Sequence, residues 1–93
     1  MSDWGYAQRK PQEELALLHF FSFKKLEPGR EINFRITVKE FAERNKHGML
    51  FFAQADQQTN QKTAPFTPSG WGESLGQALR ECILNIDRFP FEG

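Results

Sequence analysis

Ninety-three residues suffice for one domain, and 39% hydrophobic with 26% charged residues is the composition of an ordinary globular chain, not a disordered or fibrous one. Twelve Lys+Arg balance twelve Asp+Glu, so no net field draws the chain to nucleic acid or an anionic membrane. The single cysteine excludes a disulfide framework and any multi-cysteine zinc or iron–sulfur site, and the longest apolar runs, such as residues 49–53, fall far below the roughly 20 residues that span a bilayer.

A chain of this size buries only about 60% of the surface its unfolded form exposes, so its core has to be dense. The 10 phenylalanines meet that need and exceed it. The surplus points to rings in a dimer interface or lining a groove.

Residues 1–11 read as a flexible N-terminus ahead of a single domain over 12–93. Trp4 and Tyr6 are the residues there that could dock, and Trp4 is taken as a candidate interface residue. The segment has no apolar stretch of the secretory type, which points to the cytoplasm.

Over residues 12–23 two signals compete. Pro11 with Glu13 and Glu14 resembles a helix start, whereas His19-Phe20-Phe21-Ser22-Phe23 favours strand; a short helix running into a strand satisfies both. Glu27-Pro28-Gly29-Arg30 is a turn. Ile32, Phe34, Ile36 and Val38 then alternate with Asn33, Arg35, Thr37 and Lys39, a strand with one buried and one wet face. Asn45-Lys46-His47-Gly48 turns the chain into a strand over 49–56, residues 57–61 form a loop, and 62–66 suit a short edge strand, where Pro65 is tolerated. Residues 67–72 are a breaker-rich connection, with Trp71 closing the end of the core.

Ser74 is the expected N-cap of a final helix of about 14 residues, completed as a capping box by Gln77. Leu75, Leu79, Cys82, Ile83 and Ile86 make its apolar stripe. The expected fold is α+β: an antiparallel sheet of three or four strands, one C-terminal amphipathic helix packed on one face, and at most a short N-terminal helix. Ile32, Phe34, Ile36 and Val38 should meet Leu79, Cys82, Ile83 and Ile86.

The inventory for chemistry is thin. His19 and His47 are the only histidines, and no spacing marks a metal site. Cys82, on the apolar stripe, reads as a small hydrophobe. Gly70-Trp71-Gly72 lacks the lysine and spacing of a phosphate-binding loop and reads as a tight turn. Residues 1–48 carry nine Lys/Arg against seven Asp/Glu and residues 49–93 three against five, too slight an asymmetry for a nucleic-acid footprint. Arg35 and Lys39 nevertheless share the wet face of one strand, where with Lys62 they could meet phosphates while Phe52 offers a stacking surface.

Gly72-Glu73-Ser74-Leu75-Gly76-Gln77-Ala78-Leu79 resembles the G-[DE]-[ST]-L-x-x-A-L stretch that opens the helix of HicB-like antitoxins. That resemblance implies a small sheet followed by a helix, and binding of a protein partner; the family's C-terminal DNA-binding segment has no counterpart before Gly93. The region also looks like a double-stranded-RNA-binding domain, with Gly70, Gly72, Ser74 and Ala78 in register. The three lysine positions hold Leu75, Gly76 and Leu79, so the groove-gripping charge is lost. A four-strands-then-helix order would also be similar to PUR or Whirly single-stranded-DNA binders.

The expectation is therefore a non-catalytic cytoplasmic binding module, not an enzyme, acting through a protein partner or as a homodimer with Trp71 and Trp4 as interface candidates. The alternative is single-stranded nucleic-acid binding on the sheet face of Arg35, Lys39, Phe52 and Lys62. No cofactor, metal, membrane or small-molecule substrate is called for.

Overall fold

The computed structural model describes residues 3–93. After a 3-10 turn (Asp3–Ala7) come four strands, β1 (Ala16–Glu27), β2 (Arg30–Phe41), β3 (Phe51–Ala55) and β4 (Ser69–Gly72), then helix α1 (Leu75–Arg88). The strands form one antiparallel meander in the order β1-β2-β3-β4.

The β1–β2 hairpin dominates the shape. Its twelve-residue strands pair without a break from Glu27 opposite Arg30 to Ala16 opposite Phe41. At about 3.4 Å per residue each runs roughly 40 Å, most of the molecule's 48 Å length. The hairpin is closed by Pro28 and by Gly29, whose φ of 78° is a conformation a side chain would oppose.

Alternation along β2 sorts the sheet into two faces. Ile32, Phe34, Ile36 and Val38 are buried, with Ile36 and Val38 at 0% exposure, and they join Ala53 and Ala55 of β3 under Ala78, Cys82 and Ile86 of α1. Full burial of each large side chain contributes about 1.5–3 kcal/mol. Leu75, Leu79 and Ile83 pack against this core but stay half-exposed. The expected meeting of β2 with the helix stripe thus holds through Cys82 and Ile86, with Ala78 as fully buried as they are and Leu79 and Ile83 at the margin.

The helix starts as the sequence suggests. Ser74 Oγ accepts from the Gln77 N–H at 3.2 Å, and Gln77 Oε1 accepts from the Glu73 N–H at 2.8 Å, so two otherwise unpaired amides are satisfied reciprocally. Its other end is capped from far away in sequence: Lys25 Nζ donates to the carbonyls of Ile86 (3.0 Å) and Phe89 (2.7 Å). The helix lies over β4 and β3 and reaches only part of β2. Beyond it the C-terminal tail takes over, with Phe91 edge-on to Phe34 at 6.0 Å.

Three local expectations are corrected. Residues 12–15 hold no helix; β1 begins at Ala16, because the Ala42 N–H donates to the Leu15 carbonyl and the ladder onto β2 continues from there. Residues 62–66 make no strand; only a single bridge joins Thr59 to Phe66. The fourth strand is Ser69–Gly72, within the stretch expected as a connection. Gly70 and Gly72 serve there not as turn residues but as gaps: a Cβ on Gly70 would stand 2.7 Å from the Ala78 carbonyl oxygen, and one on Gly72 2.5 Å from the Ala78 nitrogen. Their absent side chains let α1 lie directly on β4.

Candidate binding face

The strand period that buries Ile36 turns the intervening residues to the other side of the sheet, where no helix packs. On β2 these are Asn33, Arg35, Thr37, Lys39 and Phe41. Pairing places Ser22 opposite Arg35, Phe20 opposite Thr37 and Leu18 opposite Lys39 on one side, and Gln54 opposite Thr37 and Phe52 opposite Lys39 on the other. Trp71 follows Phe52 on β4.

Three aromatic rings gather at one end of this face. Trp71 lies 4.6 Å from Phe52, tilted by 43°, and 5.9 Å from Phe41, nearly parallel at 22°. Trp71 remains 44% exposed, so the cluster presents a ring to solvent instead of hiding it. This corrects the expectation that Trp71 closes the end of the core, since it stands on the side of the sheet away from the core. Phe41 and Trp71 also line a recess of about 300 Å³ where residues 8–15 cross the strand ends. A second recess of about 260 Å³ is lined by Thr37, Lys39, Phe52 and Gln54, and a third of about 410 Å³ by Phe20, Ser22, Asn33 and Arg35.

The cations are spaced along the same line. Arg35 and Lys39 lie four residues apart on β2. Lys39 is held only loosely, its Nζ 3.9 Å from the exposed Glu14 carboxylate, and Lys24 is 3.5 Å from Glu31; such exposed pairs are worth little and exchange readily. Asp56, opposite Arg35, accepts from the Arg35 amide through Oδ1 at 2.9 Å and lines the last two recesses as well.

Of the residues singled out from sequence, the fold brings Arg35, Lys39 and Phe52 onto one face and adds Trp71 to them. Lys62 stands apart. Its amide donates to Glu92 Oε1 at 2.8 Å, within a loop fastened to the C-terminal tail through Asn60 and Gln61. Trp4 sits half-exposed in the 3-10 turn. Phe41 extends the outward series Arg35, Thr37, Lys39 by one step and was findable from that period.

His19 Nε2 is 3.0 Å from Glu40 Oε1 across the β1–β2 ladder. Burial pushes the Cys82 thiol up to about 11, and its Sγ donates weakly to the Pro68 carbonyl at 3.6 Å. Among the described residues no three His, Cys, Asp or Glu side chains are grouped to hold a metal ion, and no helix is long and apolar enough to cross a membrane.

No family model matches the chain, and no curated protein or solved structure is detectably similar to it.

Proposed function

We propose that the protein is a non-catalytic binding module whose helix-free sheet face takes single-stranded nucleic acid, bases stacking on Trp71 and Phe52 while Lys39 and Arg35 meet phosphates. The observation that carries this reading is the exposed Trp71 ring set against Phe52 and Phe41 beside Lys39. Open sheets bind single strands by this division of labour, because every base has a face to stack and every linkage a charge. From Arg35 to Phe41 the face runs about 20 Å at the strand rise, room for a few nucleotides.

The test is fluorescence anisotropy with a labelled oligothymidylate, titrated with salt. Lys24, Arg35 and Lys39 contacting three phosphates give a log–log slope of about −2. Trp71→Ala should weaken binding about 5- to 150-fold, the range for one lost base stack. Absence of binding at low salt, or binding indifferent to Trp71→Ala and Lys39→Glu, ends the reading.

A second reading is recognition of a protein partner, the mode that the HicB-like resemblance implies. It is favoured by Leu18 and Phe20, which are 46% and 63% exposed on the same face. Occupancy of the sheet by a protein would leave the oligonucleotide titration flat.

A further inference from the structure

β1 ends the sheet, and its free edge is long and unguarded. The ladder settles which backbone groups it offers. On β2, Arg35 and Phe41 bond toward β3, since Asp56 N–H donates to the Arg35 carbonyl and Phe41 N–H to that of Leu50. The even-numbered residues of β2 therefore face β1, as the Ala42 N–H bond to the Leu15 carbonyl continues. Their partners are the odd residues of β1. The N–H and C=O groups of Ala16, Leu18, Phe20, Ser22, Lys24 and Leu26 consequently point outward, where no strand meets them among the described residues.

Natural edges of this kind are usually protected by prolines, bulges, short length or charges in mid-strand. β1 is twelve residues long with no proline, and its lysines come only at 24 and 25. Its middle is His19-Phe20-Phe21-Ser22-Phe23, with Phe20 63% exposed on one face and Phe21 and Phe23 half-buried on the other.

We infer that this edge pairs with β1 of a second copy of the chain, antiparallel about a two-fold axis normal to the sheet. Overlap of residues 16–26 is complete when Phe21 lies opposite the partner's Phe21. That register sets every outward-pointing group against another and makes an aromatic pair at the axis, the close non-hydrogen-bonded kind. The charges favour the antiparallel sense. In-register parallel pairing would set Lys24 on the partner's Lys24, whereas here it faces the partner's Leu18, and Lys25 faces the partner's Leu17. Each hairpin end, with Lys24, Lys25 and Arg30 against Glu27 and Glu31, is carried toward the partner's Glu13 and Glu14.

Area sets the strength. A standard interface buries about 800 Å² per partner over 20–30 residues, so the overlap of residues 16–26 buries roughly 300–450 Å² per partner. That is the size of a transient contact, and the dimer is concentration-dependent. It joins two sheets into eight continuous strands with both helix-free faces on one side, but it does not rest on what those faces bind.

Sedimentation of the full chain without nucleic acid tests the inference. The expected result is a mass rising from 10.8 kDa toward twice that value as concentration increases. Ser22→Pro removes an N–H that points away from β2, so the monomer's ladder survives while the dimer is lost; Phe20→Lys does the same by charge. Hydrogen exchange gives a second readout: amides of Leu18, Phe20, Ser22 and Lys24 slow as concentration rises, and do so even if Ser22→Pro proves unfolded. A wild-type chain that stays monomeric to about 1 mM, edge amides that exchange fast at every concentration, or a folded Phe20→Lys chain that remains dimeric overturns it.

Discussion

Replacing Gly70 by alanine adds one methyl group where the structure leaves no room. The new Cβ would lie 2.6 Å from Glu81 Cβ, 2.7 Å from the Ala78 carbonyl oxygen and 2.7 Å from the Cys82 nitrogen. Carbon contacts rest near 3.5–4.0 Å, so the overlap approaches 1 Å, and two of the three neighbours are helix backbone that cannot swing aside. Relief requires α1 to rise off β4, loosening Ala78, Cys82 and Ile86 from Ala53 and the β2 residues together. Overpacking costs about 1–3 kcal/mol in adaptable cores, and the rigid neighbours place this case near 3 kcal/mol. At roughly 4–8 °C per kcal/mol for a chain of this size, the melting temperature should fall by more than about 10 °C. Gly76→Ala is the control: a Cβ there meets nothing within 4 Å on the same helix, and it should gain about 0.5–1 kcal/mol. Urea unfolding of the two variants against the parent measures both signs. A Gly70→Ala chain within about 0.5 kcal/mol of the parent would refute the close helix–strand approach.

Ile36→Asp should abolish folding, because an unpaired charge at a fully buried site costs several kcal/mol of a total near 5–15 kcal/mol, whereas Arg35→Asp should leave the circular dichroism spectrum native. Thr59 is completely buried and its hydroxyl has no hydrogen-bond partner among the described residues; Thr59→Val should therefore raise stability by about 1 kcal/mol in thermal unfolding. Glu27 is held below its ordinary value of 4.5, chiefly by the Phe91 N–H that donates to it and then by Lys25 and Arg30, with burial working the other way. Its contribution is complete above pH 4.5 and is lost as pH falls through the lower folded value, so Glu27→Gln should flatten the acid limb of a stability–pH curve. The Cys82 thiol, buried and raised to about 11, should react with a thiol reagent at neutral pH only as fast as the chain opens.

How much of this fold could be read from the residues depended on how local the determining forces were. Strand β2 was legible because eight residues alternate strictly, and α1 because Ser74 and Gln77 cap a run of apolar residues at helical spacing. The aromatic run from His19 to Phe23 read rightly as strand, whereas Pro11, Glu13 and Glu14 misled, because they carry helix-start chemistry that pairing with β2 overrides from Ala16 onward. β4 was hidden for a different reason: Ser69-Gly70-Trp71-Gly72 has poor strand propensity, and its glycines are required by the helix lying on them, a contact that no local pattern encodes.

The candidate face was half-visible for the same cause. Period two put Arg35 and Lys39 on the wet side, and the alternation of β3 put Phe52 there. Trp71 joined them only once Ser69–Gly72 became a strand with Trp71 opposite Phe52. Lys62, by contrast, was grouped with them on charge alone, and charge does not say where a loop goes. That loop is fixed by Thr59 against Phe66, by the Asn60 N–H on the Pro90 carbonyl, and by Phe66 edge-on to Phe89 at 5.3 Å. The last two tie it to the tail that follows α1, the tail that Lys25, Glu27 and Arg30 clasp from the hairpin. One set of long-range polar contacts thus decides both which part of the sheet's inner side is covered beyond the helix and which lysine is withheld from its outer side.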